Sequence, residues 1–427
     1  MRAMLRGCVV LGLALVPALS GAAAVSQEEI RELRAQIAVL SARLAELERR
    51  AGEEKPPAPA SEPGRAAAPS EPVPAPAAPP AMADRGDHWT DRVDLKGDFR
   101  YRWETIDREG SDSRERHRIR ARPTLTARVN DTVRVGFGLA TGGDNPVSGN
   151  QTIGDGGARL DIGLDQAWFE WTGLPGTRLV GGKFRNPLRR PAGHGLVWDN
   201  DWRPEGFALD YSTGGFFATA LATWLEGDSR DGDELALGLQ GGYALPLGRD
   251  DTLTLTASHY RMDLAGRETL FDPDDAFGNS VNPDGTYRYD FSLVEFAAEY
   301  DTRLGDLPLA LFADYVRNRD AGDYDTGWAV GGALGKASAP GTWRVRYVWQ
   351  ELEADAVLGL LTDSNFGGGG TDARGHFFSA DYALARNVGF RLTYFNDVTN
   401  EDAVDRGDPG AEELDYDRLI LDLRFRY

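Results

Sequence analysis

The chain has 427 residues, a formal net charge of −20 and a sequence pI near 4.7. That acidic balance excludes nucleic acid as a partner, because a phosphate backbone is bound by a basic surface. A mean hydropathy of −0.42 with 27% charged residues excludes a bundle of membrane-spanning helices.

The first 24 residues stand apart. Arg2 and Arg6 form a positively charged start, Val9 to Leu19 an apolar run, and Ala22 to Ala24 a small-residue cleavage site, the pattern of a bacterial secretory signal. The run is too short to span a bilayer and lacks a stop-transfer flank. Cys8 is the one cysteine, and its place before the apolar run argues against lipid attachment. Cleavage would leave no thiol, so neither a disulfide nor a cysteine-held metal is expected.

Residues 25–50 (VSQEEIRELRAQIAVLSARLAELERR) place Ile30, Leu33, Ile37, Leu40, Leu44 and Leu47 at alternating spacings of three and four. That is a short coiled-coil seam, with a lone amphipathic helix as the competing reading. The Pro/Ala-rich tract that follows, 51–89, offers nothing to bury such a helix, which favours self-association. Proline blocks helix and sheet ladders, so the tract is expected to be an extended linker, reaching up to roughly 100 Å at the polyproline rise.

From residue 90 to 427 the chain alternates. VDLKGDFRYRWE (93–104) sets Val93, Leu95, Phe99, Tyr101 and Trp103 on one side of an extended strand and Asp98, Arg100, Arg102 and Glu104 on the other. RIRARPTLTARV (118–129), TLTLTASHY (252–260), TWRVRYVWQ (342–350) and DRLILDLRFRY (417–427) repeat the pattern. The segments run to about ten residues or more, beyond the roughly five or six of soluble strands. Short connections such as GLPG (173–176) and GD (305–306) alternate with long polar ones at 141–159, 184–205, 262–287, 355–374 and 398–414. Trp and Tyr gather toward strand ends, as in the girdles of membrane barrels. The expected fold is all-β, a transmembrane antiparallel β-barrel of about 16 strands, with lipid outside and a water-filled lumen inside. Two segments, 216–226 (FFATALATWLE) and 288–301, are apolar on both faces, as a strand buried at a subunit contact would be.

The signal, coil, linker, alternating strands and terminal aromatic together resemble the bacterial outer-membrane porins, in particular porins with an N-terminal coil and linker. Ending on Phe425-Arg426-Tyr427 is similar to the signal read by the barrel-assembly machinery. GKFRNPLRR (182–190) leading to DNDWRPEGFALDY (199–211) is similar to a porin's path into an inward-folded third loop. The resemblance implies passage of small hydrophilic solutes by diffusion, a homotrimer, no cofactor, and contact with outer-membrane lipid and lipopolysaccharide.

By strand register, Arg100, Arg102, Arg118, Arg120, Arg122, Arg418, Arg424 and Arg426 face inward and form one basic wall where the last strand meets the first. Asp199, Asp201 and Glu205 on the third loop are expected opposite it, with Arg189, Arg190 and Arg203 of the same loop blurring the sign. A basic wall facing acids would set a transverse field across a constriction; the competing reading is a polar lumen whose charges pair between strands. The acidic runs 272–275 and 401–417 are either solvated loops or carboxylates for divalent cations bridging to lipopolysaccharide. GGGG (367–370) reads as a flexible loop tip. The histidines are scattered, with no H-E-x-x-H and no G-x-S-x-G, so no enzyme is expected. Two rivals stand: a substrate-specific anion channel, which the arginine wall favours and the scarcity of lumenal lysines counts against, and a barrel that tethers the outer membrane to peptidoglycan or a periplasmic protein through its coil.

Overall fold

The computed structural model describes residues 89–228 and 232–427. The expected signal, coil and nearly all of the linker lie outside the described residues. A single turn, Trp89–Arg92, leads into the first strand.

The chain then rises and falls around one closed sheet. β1 (Val93–Arg108), β2 (Arg114–Arg128) and β3 (Val133–Thr141) open it, and β4 (Gln151–Ile153) is a three-residue piece paired on β2. β5 (Ile162–Trp171), β6 (Thr177–Lys183), β7 (Glu205–Thr213), β8 (Phe216–Asp228) and β9 (Gly232–Pro246) follow. β10 (Thr252–Met262), β11 (Phe291–Leu304), β12 (Leu307–Asn318) and β13 (Thr326–Gly335) continue the circuit. β14 (Trp343–Leu352), β15 (Ala373–Ala385), β16 (Val388–Thr399) and β17 (Leu414–Arg426) complete it. All pairings are antiparallel, and β17 pairs with β1 from Asp98↔Arg426 to Arg108↔Tyr416. With β4 set aside as a short extra piece, the circuit has sixteen strands and no free edge, as a lipid environment demands.

Period-two alternation fixes the faces. Leu95, Leu239 and Phe296 stand outward at 59%, 61% and 57% exposure, while Arg102 and Glu104 on the inner face are buried. Such a continuous apolar band suits hydrocarbon and would be an aggregation hazard in water. Both termini of the barrel lie at the rim of short turns. The opposite rim carries the long loops, here L2 (142–161), L3 (184–204), L5 (263–290), L7 (353–372) and L8 (400–413).

The inner apolar faces of the two doubly apolar segments are covered by loops. Leu221 of β8 and Phe291 and Leu293 of β11 point inward and join Leu196, Val197 and Trp198 of L3 and Leu358 and Leu361 of L7 in one buried cluster. The loops cover the inner apolar face, and Phe216, Trp224 and Phe296 keep the outer one. The GGGG run departs from the flexible tip expected of it. Gly367 to Gly370 all have positive φ and form the return limb of L7, where the Gly367 N–H donates to Asp397 Oδ2 at 2.9 Å. The run is a packed left-handed turn that glycine alone adopts at no steric cost, not a free tip.

Candidate functional site: the lumen

The inner face of β17, β1 and β2 carries the expected arginines side by side. Arg100 stands opposite both Arg424 and Arg120, and Arg102 opposite Arg118. Carboxylates are threaded between them. Arg102 Nε and Nη2 donate to the two oxygens of Asp422 at 2.7 and 2.9 Å. Arg418 donates to Glu104 Oε2 from Nε and Nη2 at 3.1 and 2.6 Å, and Arg116 pairs with the other oxygen of Glu104. Asp98 accepts from Arg120 and Arg122, each at 2.9 Å. The wall is therefore an ion-pair ladder with a surplus of arginine. Such paired, hydrogen-bonded guanidiniums hold their geometry far better than isolated surface pairs. Arg424 pairs with Asp381, and Arg426 is exposed near the short-turn rim.

Three loops each bring a group to this wall. Asn150 of L2 accepts from Arg100 through its side chain and from Arg118 through its carbonyl at 2.9 Å. Asp201 of L3 accepts from Arg120 at 2.9 Å and Arg122 at 2.6 Å. Asn365 of L7 accepts from Arg102 at 3.3 Å, and the Ser364 carbonyl from Arg418 at 3.5 Å. L3 and L7 are joined in turn: the Asp199 N–H donates to the Leu361 carbonyl at 2.8 Å, Thr362 Oγ1 to the Leu196 carbonyl at 2.9 Å, and the Ser364 N–H to Asp199 Oδ2 at 3.0 Å.

The far side of L3 is held to the opposite wall. Gln240 clasps the backbone of Arg189 through both its amide atoms, at 2.7 and 3.0 Å. Glu299 Oε2 accepts from the Ala192 N–H at 2.9 Å, and His194 Nε2 donates to Gln350 Oε1 at 2.7 Å. Trp198 stacks on Trp202 with ring centroids 4.4 Å apart and meets Tyr260 edge-on. Buried apolar contact plus satisfied backbone groups explain why a polar-looking loop enters a lumen at all.

The structure thus brings Asp201 directly to Arg120 and Arg122, with no water-filled gap between them. Asp199 turns to L7 instead. Glu205, the first residue of β7, pairs with Lys183, Arg189 lies over the ring of Phe217 at 4.0 Å, and Arg203 pairs with Asp165 at 3.3 Å. Arg190 donates to the Trp198 carbonyl at 3.2 Å. Burial, then Asp363 and Asp201, push the Asp199 carboxyl well above the usual aspartate range. Burial would raise Asp201 as well, but Arg120 and Arg122 outweigh it and hold it far down. Burial drives the His194 imidazole down to about 3, so it is neutral.

A chamber of about 470 Å³ lies between the arginine wall, L3 and L7, on the side of the short-turn rim. Its lining holds eleven arginines against five aspartates, so its field is positive. Two cavities of about 800 and 770 Å³ lie toward the long loops. The first meets the chamber at Arg122, Asp201 and Arg203, and the second at Asn150, Ser364 and Asn365.

Asp98, Glu104 and Asp422, which share the arginines' parity on the same strands, are the partners that the competing reading of paired lumenal charges calls for without naming them. Sequence reasoning passed over L7. The signal there was ADAVLGLL (354–361), an apolar run inside a long loop that has to be buried somewhere.

No curated protein matches the chain by sequence. In fold it is similar to OprB of Pseudomonas putida, at 13% identity and a TM-score of 0.54, covering 79% of this chain and 95% of that one. OmpF of Salmonella typhi aligns at 12% identity and a TM-score of 0.49, covering 78% and 97%, and the porin of Rh. blastica at 13% and 0.46, covering 78% and 100%. At such identity the OprB likeness shows the fold alone. The family described as "Putative porin" matches residues 107–269 and 288–427, most of the barrel, and the chain belongs to that family of outer-membrane β-barrel channels.

Proposed function

We propose that this protein is a general porin of the bacterial outer membrane, passing small hydrophilic solutes and ions by passive diffusion with a preference for anions. The observation that carries the preference is the excess of arginine over aspartate around the inner chamber. Arginine stays charged in any lumenal environment, so the field is permanent. Solutes enter through the two outer cavities and converge on the chamber at the contacts of L2, L3 and L7 with the wall. The arginine wall acts as both selectivity surface and platform for those loops, and the ion pair of Asp201 with Arg120 and Arg122 narrows one entrance. Conductance of refolded mature protein in a planar bilayer tests the reading: a channel gives discrete current steps and a reversal potential of anionic sign.

The rest of the reading carries the sequence-based expectations forward. The signal delivers the chain to the periplasm, Phe425 and Tyr427 present the terminal aromatics to the assembly machinery, and the barrel works as a homotrimer. Mass measurement of the detergent-extracted protein checks the last point, and a monomer contradicts it.

A further inference from the structure

Most guanidiniums lining the chamber have a carboxylate at ion-pair distance, as Arg102 has Asp422 and Arg391 has Asp381. Arg346, projecting inward from β14, differs. Among the described residues no carboxylate reaches it, and its Nε and Nη2 are buried without a hydrogen-bond partner. Those two atoms form one edge of the guanidinium, the edge that grips a carboxylate with two parallel hydrogen bonds. The guanidinium carbon lies 5.5 Å from the ring centre of Phe312 and 5.3 Å from that of Phe377, so two apolar rings flank the guanidinium.

A second group on the same strand face is in the same condition. Gln350 is 2% exposed, its side-chain oxygen is taken by His194, and its Nε2 has no partner. His194 also packs against Phe312 at 5.3 Å and carries no charge that would repel or supplant an anion's partner. Arg346, Gln350, His194 and Phe377 all line the inner chamber. A buried cation with no carboxylate at ion-pair distance, with Asp363 and Glu299 acting on it only from farther off, is costly, and an incoming anion removes that cost.

We infer that Arg346 and Gln350 form a binding subsite for a small monocarboxylate with a compact apolar or aromatic body. The carboxylate takes the Nε/Nη2 edge of Arg346, Gln350 supplies a further N–H, and the body lies beside Phe312 and Phe377. One free fork, one neutral donor and two apolar rings suit a monoanion with an apolar face better than a fully solvated dianion such as phosphate. The subsite rests on the channel reading only for access from the lumen.

The test uses benzoate as probe and phosphate as contrast, on the full mature protein. In a bilayer, benzoate should interrupt the chloride current saturably, and phosphate more weakly. Arg346→Gln should weaken the benzoate effect about tenfold or more, the loss of one charge-assisted pair. Arg346→Lys, which keeps the charge and lacks the fork, should fall between and serves if the first variant misfolds. Arg267→Gln, at the outer rim where Arg267 pairs with Glu234, should leave the effect as it is. Calorimetry with benzoate on detergent-folded protein reads the same affinity without requiring current. Benzoate binding that is absent, or equal in Arg346→Gln and wild type, overturns the subsite. A folded protein that carries no current yet binds benzoate through Arg346 overturns the channel and leaves the subsite standing.

Discussion

Arg102 of the first strand and Asp422 of the last grip each other across the seam that closes the barrel, two hydrogen bonds at 2.7 and 2.9 Å between side chains almost wholly removed from solvent. The pair stands directly opposite in register, Arg102↔Asp422, so backbone and side chains close the same joint. Removing one member of such a pair strands the other charge. Arg102→Ala is expected to destabilise the barrel by about 3–5 kcal/mol, whereas replacing both residues with apolar ones costs much less. Urea unfolding followed by heat-modifiable gel mobility measures both. Equal losses in the single and double variants would show that the pair contributes nothing specific.

The entrance beside L3 gives a second expectation. Asp201 neutralises part of the field of Arg120 and Arg122 and ties L3 to the wall. Asp201→Asn should raise anion preference and conductance together, while Arg120→Gln with Arg122→Gln should shift the reversal potential toward cations. An Asp201→Asn channel with wild-type selectivity would place the ion path elsewhere.

How far the sequence reaches is visible at these same residues. Alternation at 93–104 and 417–427 was enough to place Arg100, Arg102, Arg418 and Arg424 on one inner wall, because period two leaves no freedom once one face meets lipid. The acids Asp98, Glu104 and Asp422 were legible by the same parity, and a charge count along one face would have favoured the paired wall over the bare one. Asp199 and Asp201 are two positions apart in a loop, where no period fixes direction, and they part company: one meets arginines, the other L7. The inward fold of L7 depends on Ala354–Leu361 finding Leu196 and Trp198, a match between distant loops that local pattern does not specify.

Asp199 gives the channel a pH dependence. Its carboxyl is raised by burial and by Asp363 and Asp201, so it is protonated where an ordinary aspartate is ionised. As pH rises through about 8 it gains a negative charge beside the chamber, so anion preference should fall there. The sign for stability agrees: the unfolded chain releases this proton at lower pH than the folded one, so the loop arrangement weakens as pH rises. Asp199→Asn should flatten the selectivity profile. A wild-type profile equally flat would contradict the assignment.

At the short-turn end, the terminal residue packs where a side chain is missing. Gly97 and Tyr427 exchange backbone hydrogen bonds of 2.9 and 3.1 Å, and the Tyr427 ring covers the glycine, 2.5 Å from where a Cβ would stand. An aromatic laid over a strand glycine replaces the missing packing. Gly97→Val should displace the ring, slowing refolding into lipid and lowering the temperature at which heat-modifiability is lost. Refolding at the wild-type rate would show the contact to be dispensable.

The central claim is that the arginine-rich chamber is a conducting path. Single-channel current from refolded mature protein under a salt gradient tests it most directly. Stable steps with a reversal potential of anionic sign, reduced when Arg120 and Arg122 are both replaced by Gln, are the expected result. A correctly folded, inserted barrel that carries no current, or one whose selectivity ignores those two arginines, would contradict it.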